Sequence, residues 1–238
     1  MPIRQNLGPL LSHDRPPSLA CHGRSVSRLP LLPRAVSVLL MSGGFTLASG
    51  ASFGGIGAQA QTPKFTLSSP DLASGNFETK FTLNGFGCSG SNVSPALRWS
   101  NIPTGTKSLT LQVRDLDAPT GSGLWHWAVY NIPPTAAGLP QGAGNSPATL
   151  PAPAFGGTTD FLDTGATGAN GNYGGPCPPV GDKAHRYVFT LYAVAVDDVQ
   201  AAGGIPKTGT AALYSFVLNK GLGPKLLGTA TFTATYAR

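Results

Sequence analysis

The sequence predicts a mainly β fold: an antiparallel β-sandwich of two sheets with a C-terminal helix. Three observations lead there. Apolar and polar residues alternate with period two in short runs, most clearly over Lys107–Arg114 (Lys-Ser-Leu-Thr-Leu-Gln-Val-Arg). The 32 Gly and 22 Pro of this 238-residue chain interrupt it too often for long helices. Only Thr208–Lys220 carries a convincing helical pattern, with Thr208 or Thr210 as cap, Leu213, Phe216 and Val217 on one face, and Gly221 as stop.

In chain order, residues 1–60 read as a leader and 61–238 as one domain. The first 60 residues hold five Arg (4, 15, 24, 28, 34) against Asp14, an apolar stretch Ala35–Met41, a Gly/Ser-rich part and the small-x-small pattern Ala58-Gln59-Ala60. This is the pattern of a secretory signal cleaved after Ala60, which implies a periplasmic or secreted product. Gly and Ser interrupt the apolar run too early for a membrane span of ~20 residues. Lys64–Ser69 reads as the first strand and Lys80–Leu83 as the second, followed by the glycine-rich loop Gly85–Pro95 and a short strand at Leu97–Trp99. Lys107–Arg114, Trp125–Ile132, Arg186–Val196 and Leu226–Tyr236 are further strands. Residues 134–172 form a long Gly/Pro-rich connection, a length that is usually functional or partly mobile, with Asp160-Phe161 as its anchor. Asp197-Asp198 reads as a solvated strand end.

Charge excludes some functions. The leader carries +4 of the net +6, and no basic stripe interleaved with aromatics marks the rest as a nucleic-acid binder. Without Cys21, which lies in the leader, Cys88 and Cys177 remain as an even pair. In an oxidising compartment such a pair bridges, although two unconnected thiols are the alternative. A zinc site lacks a second ligand at metal spacing from either cysteine.

The chemistry is concentrated in Arg114-Asp115-Leu116-Asp117-Ala118-Pro119, Trp125-His126-Trp127 and His185-Arg186-Tyr187. Alternation places Asp115 and Asp117 on one strand face and sends His126 to the face opposite Trp125 and Trp127. Two imidazoles and a phenol can each donate a hydrogen bond to an oxyanion, partial protonation near neutral pH adds attraction, and Asp115 can orient one ring. Asp115, Asp117 and two histidines also form a conceivable metal set, but Asp117 before Ala-Pro is more simply a turn residue; no metal or cofactor is expected. Asp with His fits general-base chemistry, yet no Gly-x-Ser-x-Gly nucleophile elbow accompanies it. The three tryptophans, Trp99, Trp125 and Trp127, read as core anchors.

These strings, with Asn131-Ile132-Pro133, Gly174-Gly175-Pro176-Cys177-Pro178-Pro179, Gly85-Phe86-Gly87-Cys88 and Asn92-x-Ser94-Pro95, resemble the phosphatidylethanolamine-binding protein family, most of all its bacterial Raf kinase inhibitor-like branch. The resemblance runs from about Phe65 to Tyr236. It implies a β-sandwich with a small anion-binding cavity lined by Asp115, His126, His185 and Tyr187, closed on one side by the Gly175-Pro176 backbone and shaped by Asp117 and Pro119. It implies as ligand a phosphate, a phosphoryl head group or a small carboxylate, and it supports a Cys88–Cys177 bridge. Two departures stand out: Leu116 replaces the usual first proline of Asp-Pro-Asp-Ala-Pro, freeing a backbone N–H, and the loop Asp163–Asn172 is longer and richer in Gly and Thr. The function expected is that of an exported, non-enzymatic binder of small anions. The alternatives are an interaction module that inhibits a kinase or protease, with residues 134–172 as its surface, and a hydrolase.

Overall fold

The structure, a computed structural model, describes residues 63–238. The leader, its cleavage after Ala60, and Cys21 lie outside the described residues. Ten strands follow one another: β1 (Thr66–Ser68), β2 (Asn84–Gly85), β3 (Cys88–Ser89), β4 (Leu97–Ser100), β5 (Ser108–Asp115), β6 (Leu124–Ile132), β7 (Gly138–Leu139), β8 (Phe155–Gly156), β9 (His185–Val194) and β10 (Leu226–Tyr236). A five-stranded antiparallel sheet has the order β10-β9-β5-β6-β8, a three-stranded sheet the order β1-β4-β7, and β2 with β3 forms a separate hairpin. The expected sandwich is therefore present, with sheets of unequal size.

The central strand β5 is buried along nearly its whole length, because both faces of the large sheet are covered. Leu109, Leu111 and Val113 join Trp127, Val129, Phe189 and Leu191 in the core shared with the small sheet, which contributes Leu67, Leu97 and Trp99. The other face packs Trp125, Ala128, Tyr130 and Tyr192 beneath two short helices, α1 (Val199–Gly203) and α2 (Ala211–Phe216). All three tryptophans are buried, in keeping with their reading as core anchors.

Several local expectations are corrected. Thr79–Phe81 is a 3-10 turn rather than part of a strand: Phe81 and Leu83 are fully buried, but Leu83 N–H pairs with the Pro176 carbonyl (3.1 Å) outside any regular ladder. Thr210 caps α2 by accepting from Leu213 N–H (3.2 Å), and the helix ends in a π-helical turn, Val217–Gly221. Its buried face is Ala211, Tyr214, Val217 and Leu218, while Leu213 and Phe216 are exposed. Tyr214 chooses that face by stacking on Tyr130 (ring centroids 3.8 Å). Asp197 and Asp198 are exposed just beyond β9, as expected, but Asp198 has a further role. Its carboxylate caps α1 by accepting from Gln200 N–H (2.9 Å) and Ala201 N–H (3.2 Å).

Candidate functional site

The site forms at the end of the large sheet where β5 stops and β9 begins. Asp115, the last residue of β5, lies between Tyr187 of β9 and Leu124 of β6, and His185 opens β9. His126 arrives by an irregularity. The β5–β6 register shifts between Val113↔Trp127 and Arg114↔Trp125, so His126 is an extra residue without a cross-strand partner. Such a bulge re-aims a side chain. Here it breaks the expected alternation: Trp125 faces the helices, Trp127 faces the small sheet, and His126 sits on Trp127's side with its ring 5.0 Å from that of Tyr187. The four side chains Asp115, His126, His185 and Tyr187 line one cavity of about 260 Å³. Its walls are apolar, with Leu83, Phe86, Pro119, Leu124, Phe161 and Pro178 among them.

On the floor, hydrogen bonds are divided unequally. Asp115 Oδ1 accepts from the N–H groups of Asp117 (2.8 Å) and Ala118 (3.2 Å), and Oδ2 faces His185 Nδ1 at 2.7 Å. His185 Nε2 faces Asp182 Oδ2 at 3.3 Å, so both ring nitrogens lie against carboxylates. His126 donates from Nδ1 to the Gly174 carbonyl (2.8 Å). Burial pushes this imidazole below its ordinary value of 6.5, against the pull of the Gly174 carbonyl and of Asp115, so the ring is neutral at neutral pH. Tyr187 is buried, and although the Asp115 carboxylate lies beside its hydroxyl, no group among the described residues meets that hydroxyl at hydrogen-bonding distance and angle. Burial, with Asp115 beside it, raises the phenol well above its usual range, so the hydroxyl keeps its proton. The electrostatics thus differ at His126 from the sequence expectation of a partly protonated ring: that ring is neutral, while His185 stands between two carboxylates.

The remaining expected residues hold the frame. Gly174 lies so close to Phe161 that an added Cβ would come within 2.4 Å of its ring, and Gly175 meets the Phe81 carbonyl oxygen at 2.3 Å by the same test. Only glycine permits these approaches. Gly175 N–H donates to Asn92 Oδ1 (2.7 Å) and the Pro176 carbonyl accepts from Leu83, which seats the segment carrying Cys177 and Pro178 as a wall. Cys88 and Cys177 form a disulfide with Cα atoms 6.0 Å apart, tying the β2–β3 hairpin to that wall. Asp117 turns away from the cavity: Arg186 grips it through Nε (2.8 Å) and Nη2 (3.0 Å), and Lys183 stands 3.6 Å off. The Arg186 fork holds this carboxyl far below the usual carboxylate range. Asp115, Asp117 and the histidines therefore do not converge as a metal-ligand set. The N–H of Leu116, freed by the missing proline, donates to the Arg186 carbonyl (3.0 Å) and prolongs the β5–β9 pairing.

Four contributors were not singled out as site residues from sequence. Asp182 stands three residues before His185, a spacing that could have drawn attention to it, but beside Gly181 it resembles an ordinary turn residue. Asn92 reads as part of a sequon or a family string. Here its side chain joins Tyr173 and Gly175 across the fold. Phe161, expected only to dock the long connection, forms a wall with its ring 5.2 Å from His126. Phe86 is 61% exposed at the mouth and holds a left-handed backbone conformation (φ 52°), a combination that leaves no mark in residue order.

Chemically, the floor offers a hydroxyl donor and an imidazole nitrogen within apolar walls, which suits a small polar head on an apolar body. Cys177 is held in the disulfide and the Thr120 hydroxyl is donated to the Gly123 carbonyl, so neither is placed as a nucleophile.

Comparison with known proteins identifies the family and the fold. The family model described as phosphatidylethanolamine-binding protein matches residues 73–237. The YbcL protein of Escherichia coli is 40% identical over 179 residues, covering 74% of this chain and 90% of its own length. YbhB of the same organism is 40% identical over 139 residues, covering 58% of this chain and 83% of its own. The crystal structure of YbcL, described as a new member of the mammalian family, superposes with a TM-score of 0.63 at 37% identity, covering 74% of this chain and 99% of that one. A homologue from Chlamydia trachomatis gives a TM-score of 0.53 at 27% identity, covering 73% of this chain and 97% of that one.

Proposed function

This chain belongs to the phosphatidylethanolamine-binding protein family, and on that premise we propose that it is an exported, non-enzymatic binding protein for small anionic or phosphoryl-bearing ligands. The observation that carries the reading is the Tyr187 hydroxyl, buried and unpartnered beside His126 in a cavity of about 260 Å³. Buried polar atoms in folded proteins are almost always paired, and an exception beside a cavity points to a guest. Phosphate, a phosphoryl head group or a carboxylate fits the scale of the floor, and the apolar walls receive whatever the head group carries. Titration calorimetry with inorganic phosphate, acetate and phosphoethanolamine tests the proposal. Binding is expected, weakened in His126→Ala and Tyr187→Phe; no heat from any of the three refutes it.

Export draws support from the charge and small-residue pattern before Gln61 and from the Cys88–Cys177 disulfide, a bond at home in oxidising compartments. Among the described residues no helix is long and apolar enough to cross a membrane. Expression of the full chain in a bacterial host, followed by fractionation and mass measurement, is expected to give a periplasmic or secreted product beginning at Gln61. An uncleaved cytosolic product would count against export.

A second reading, a protein-interaction module of the inhibitor type, draws support from exposed apolar side chains around the mouth. Phe86 (61%) lines it, and Val180 (76%) and Leu162 (46%) each adjoin a lining residue in sequence. Competition between a captured protein and phosphate for the cavity is the result that would favour it.

A further inference from the structure

We infer that the cavity takes its acidic ligand together with one proton, and so selects phosphomonoesters and carboxylic acids over phosphodiesters. The inference rests on the acid-binding reading above and narrows the class of acid.

It follows from counting the hydrogens the floor has available. The Nδ1 proton of His126 is committed to the Gly174 carbonyl, 2.8 Å away, and a carbonyl oxygen only accepts. In the neutral ring Nε2 is then a lone pair, and no described residue donates to it. The two nitrogens of His185 face Asp115 Oδ2 (2.7 Å) and Asp182 Oδ2 (3.3 Å), so that ring has no N–H left for a guest. The Tyr187 hydroxyl is an unpartnered donor. No Lys or Arg is among the lining residues, and Arg186 and Lys183 are turned to Asp117. The floor therefore presents one donor and one acceptor, and a bare oxyanion satisfies only the donor.

The ionisable groups around His126 are Asp115 from β5, Tyr187 and His185 from β9, Asp182 beyond His185, and Asp160, which accepts from Trp125 N–H (2.9 Å). The three carboxylates among them repel a second negative charge, so an acid arrives most readily with its charge reduced. A phosphomonoester dianion or a carboxylate takes one proton from solvent. That proton lies between an acid oxygen and Nε2, while another acid oxygen accepts from Tyr187. One O–H or N–H bond forms at the site, the O–H or N–H bond of the hydronium ion or buffer acid that gave up the proton breaks, and no other covalent bond changes. A phosphodiester, whose oxygens are far weaker bases than a carboxylate or a phosphomonoester dianion, does not hold such a proton. It can be received only by charging the buried imidazole, which desolvation opposes.

Calorimetry with methyl phosphate, dimethyl phosphate and acetate at about pH 7.5, in two buffers of different ionisation enthalpy, tests the inference. The expected result is an uptake of about one proton per methyl phosphate or acetate bound, with acetate affinity rising about tenfold per unit fall in pH. Dimethyl phosphate should bind roughly tenfold or more weakly than methyl phosphate. In His126→Gln the uptake on binding acetate should disappear, and the wild-type measurement stands alone if that variant does not fold. Binding without uptake would mean that Asp182 has left His185 Nε2 free to donate; that result, or equal affinity for the diester, overturns the inference and leaves the acid-binding reading intact. No binding by any of the three overturns the reading itself.

Discussion

Gln112 and Tyr187 lie on opposite faces of the large sheet, buried alike but satisfied differently. Beneath the helices, Gln112 is 4% exposed and fully engaged: its amide donates to Tyr130 Oη (3.3 Å) and the Ala211 carbonyl (2.9 Å), and its oxygen accepts from Ser215 (2.6 Å). On the other face, at the same end of the sheet, Tyr187 and His126 are as deeply buried but leave a hydroxyl and a ring nitrogen without protein partners. A closed network specifies packing, whereas an open one reserves its hydrogen-bonding capacity for something that is not part of the chain. The difference teaches that burial alone does not mark a site; a buried, unsatisfied group that lines a cavity does.

The comparison can be broken in several ways. The largest effect is expected from Cys88→Ala with Cys177→Ala, which unties the wall on the open face. Urea denaturation should show a loss of about 2–5 kcal/mol, and ligand affinity should fall with it. Next comes Gln112→Ala, which leaves Ser215 and the Ala211 carbonyl unpaired. It should cost about 2–3 kcal/mol while ligand affinity stays unchanged. Tyr187→Phe should do the reverse, leaving stability unchanged or raising it by up to about 1 kcal/mol, since an unsatisfied hydroxyl is removed, while weakening binding about tenfold. Equal behaviour of the last two variants would erase the distinction between the faces.

The smallest effects concern pH. Folding makes His126 harder to protonate, so the unfolded chain takes up the proton first as pH falls. Stability from this group is complete above about pH 6.5 and shrinks below it. Asp117 is held below its ordinary value by Arg186, so its contribution is complete above about pH 4 and fades as the solution becomes more acid. Melting temperature measured from pH 3 to 8 should show both steps; His126→Gln should remove the upper one and Asp117→Asn the lower. An upper step that survives His126→Gln would mean that burial does not disfavour the charged ring as described.

Much of this was legible in residue order. Leu109, Leu111 and Val113 announce β5, and the motifs around Asp115, His126, His185 and Tyr187 carry the family resemblance that implies this set. What escaped was either too short or too three-dimensional to leave a periodic mark. The five residues of α1 span little more than one turn, so the capping role of Asp198 looked like surface charge. The face of α2 was misjudged because Tyr214, not Phe216, finds an aromatic partner. Asp182 sits in a turn, and its value lies only in what His185 does above it. The bulge at His126 has no residue signature, since it is a mismatch between two strands and not a property of either.

That mismatch acts like a reading-frame shift within β6. Before it, even-numbered residues such as Leu124 look into the cavity; after it, odd-numbered ones such as Trp127 and Val129 look into the core. Deleting a single residue there would restore one parity along the strand and carry the imidazole to the helix-covered side, near Arg114, with every other residue of the pocket left in place. The site is thus encoded partly as a count, and a homologue can keep all its side chains and still lose it by one.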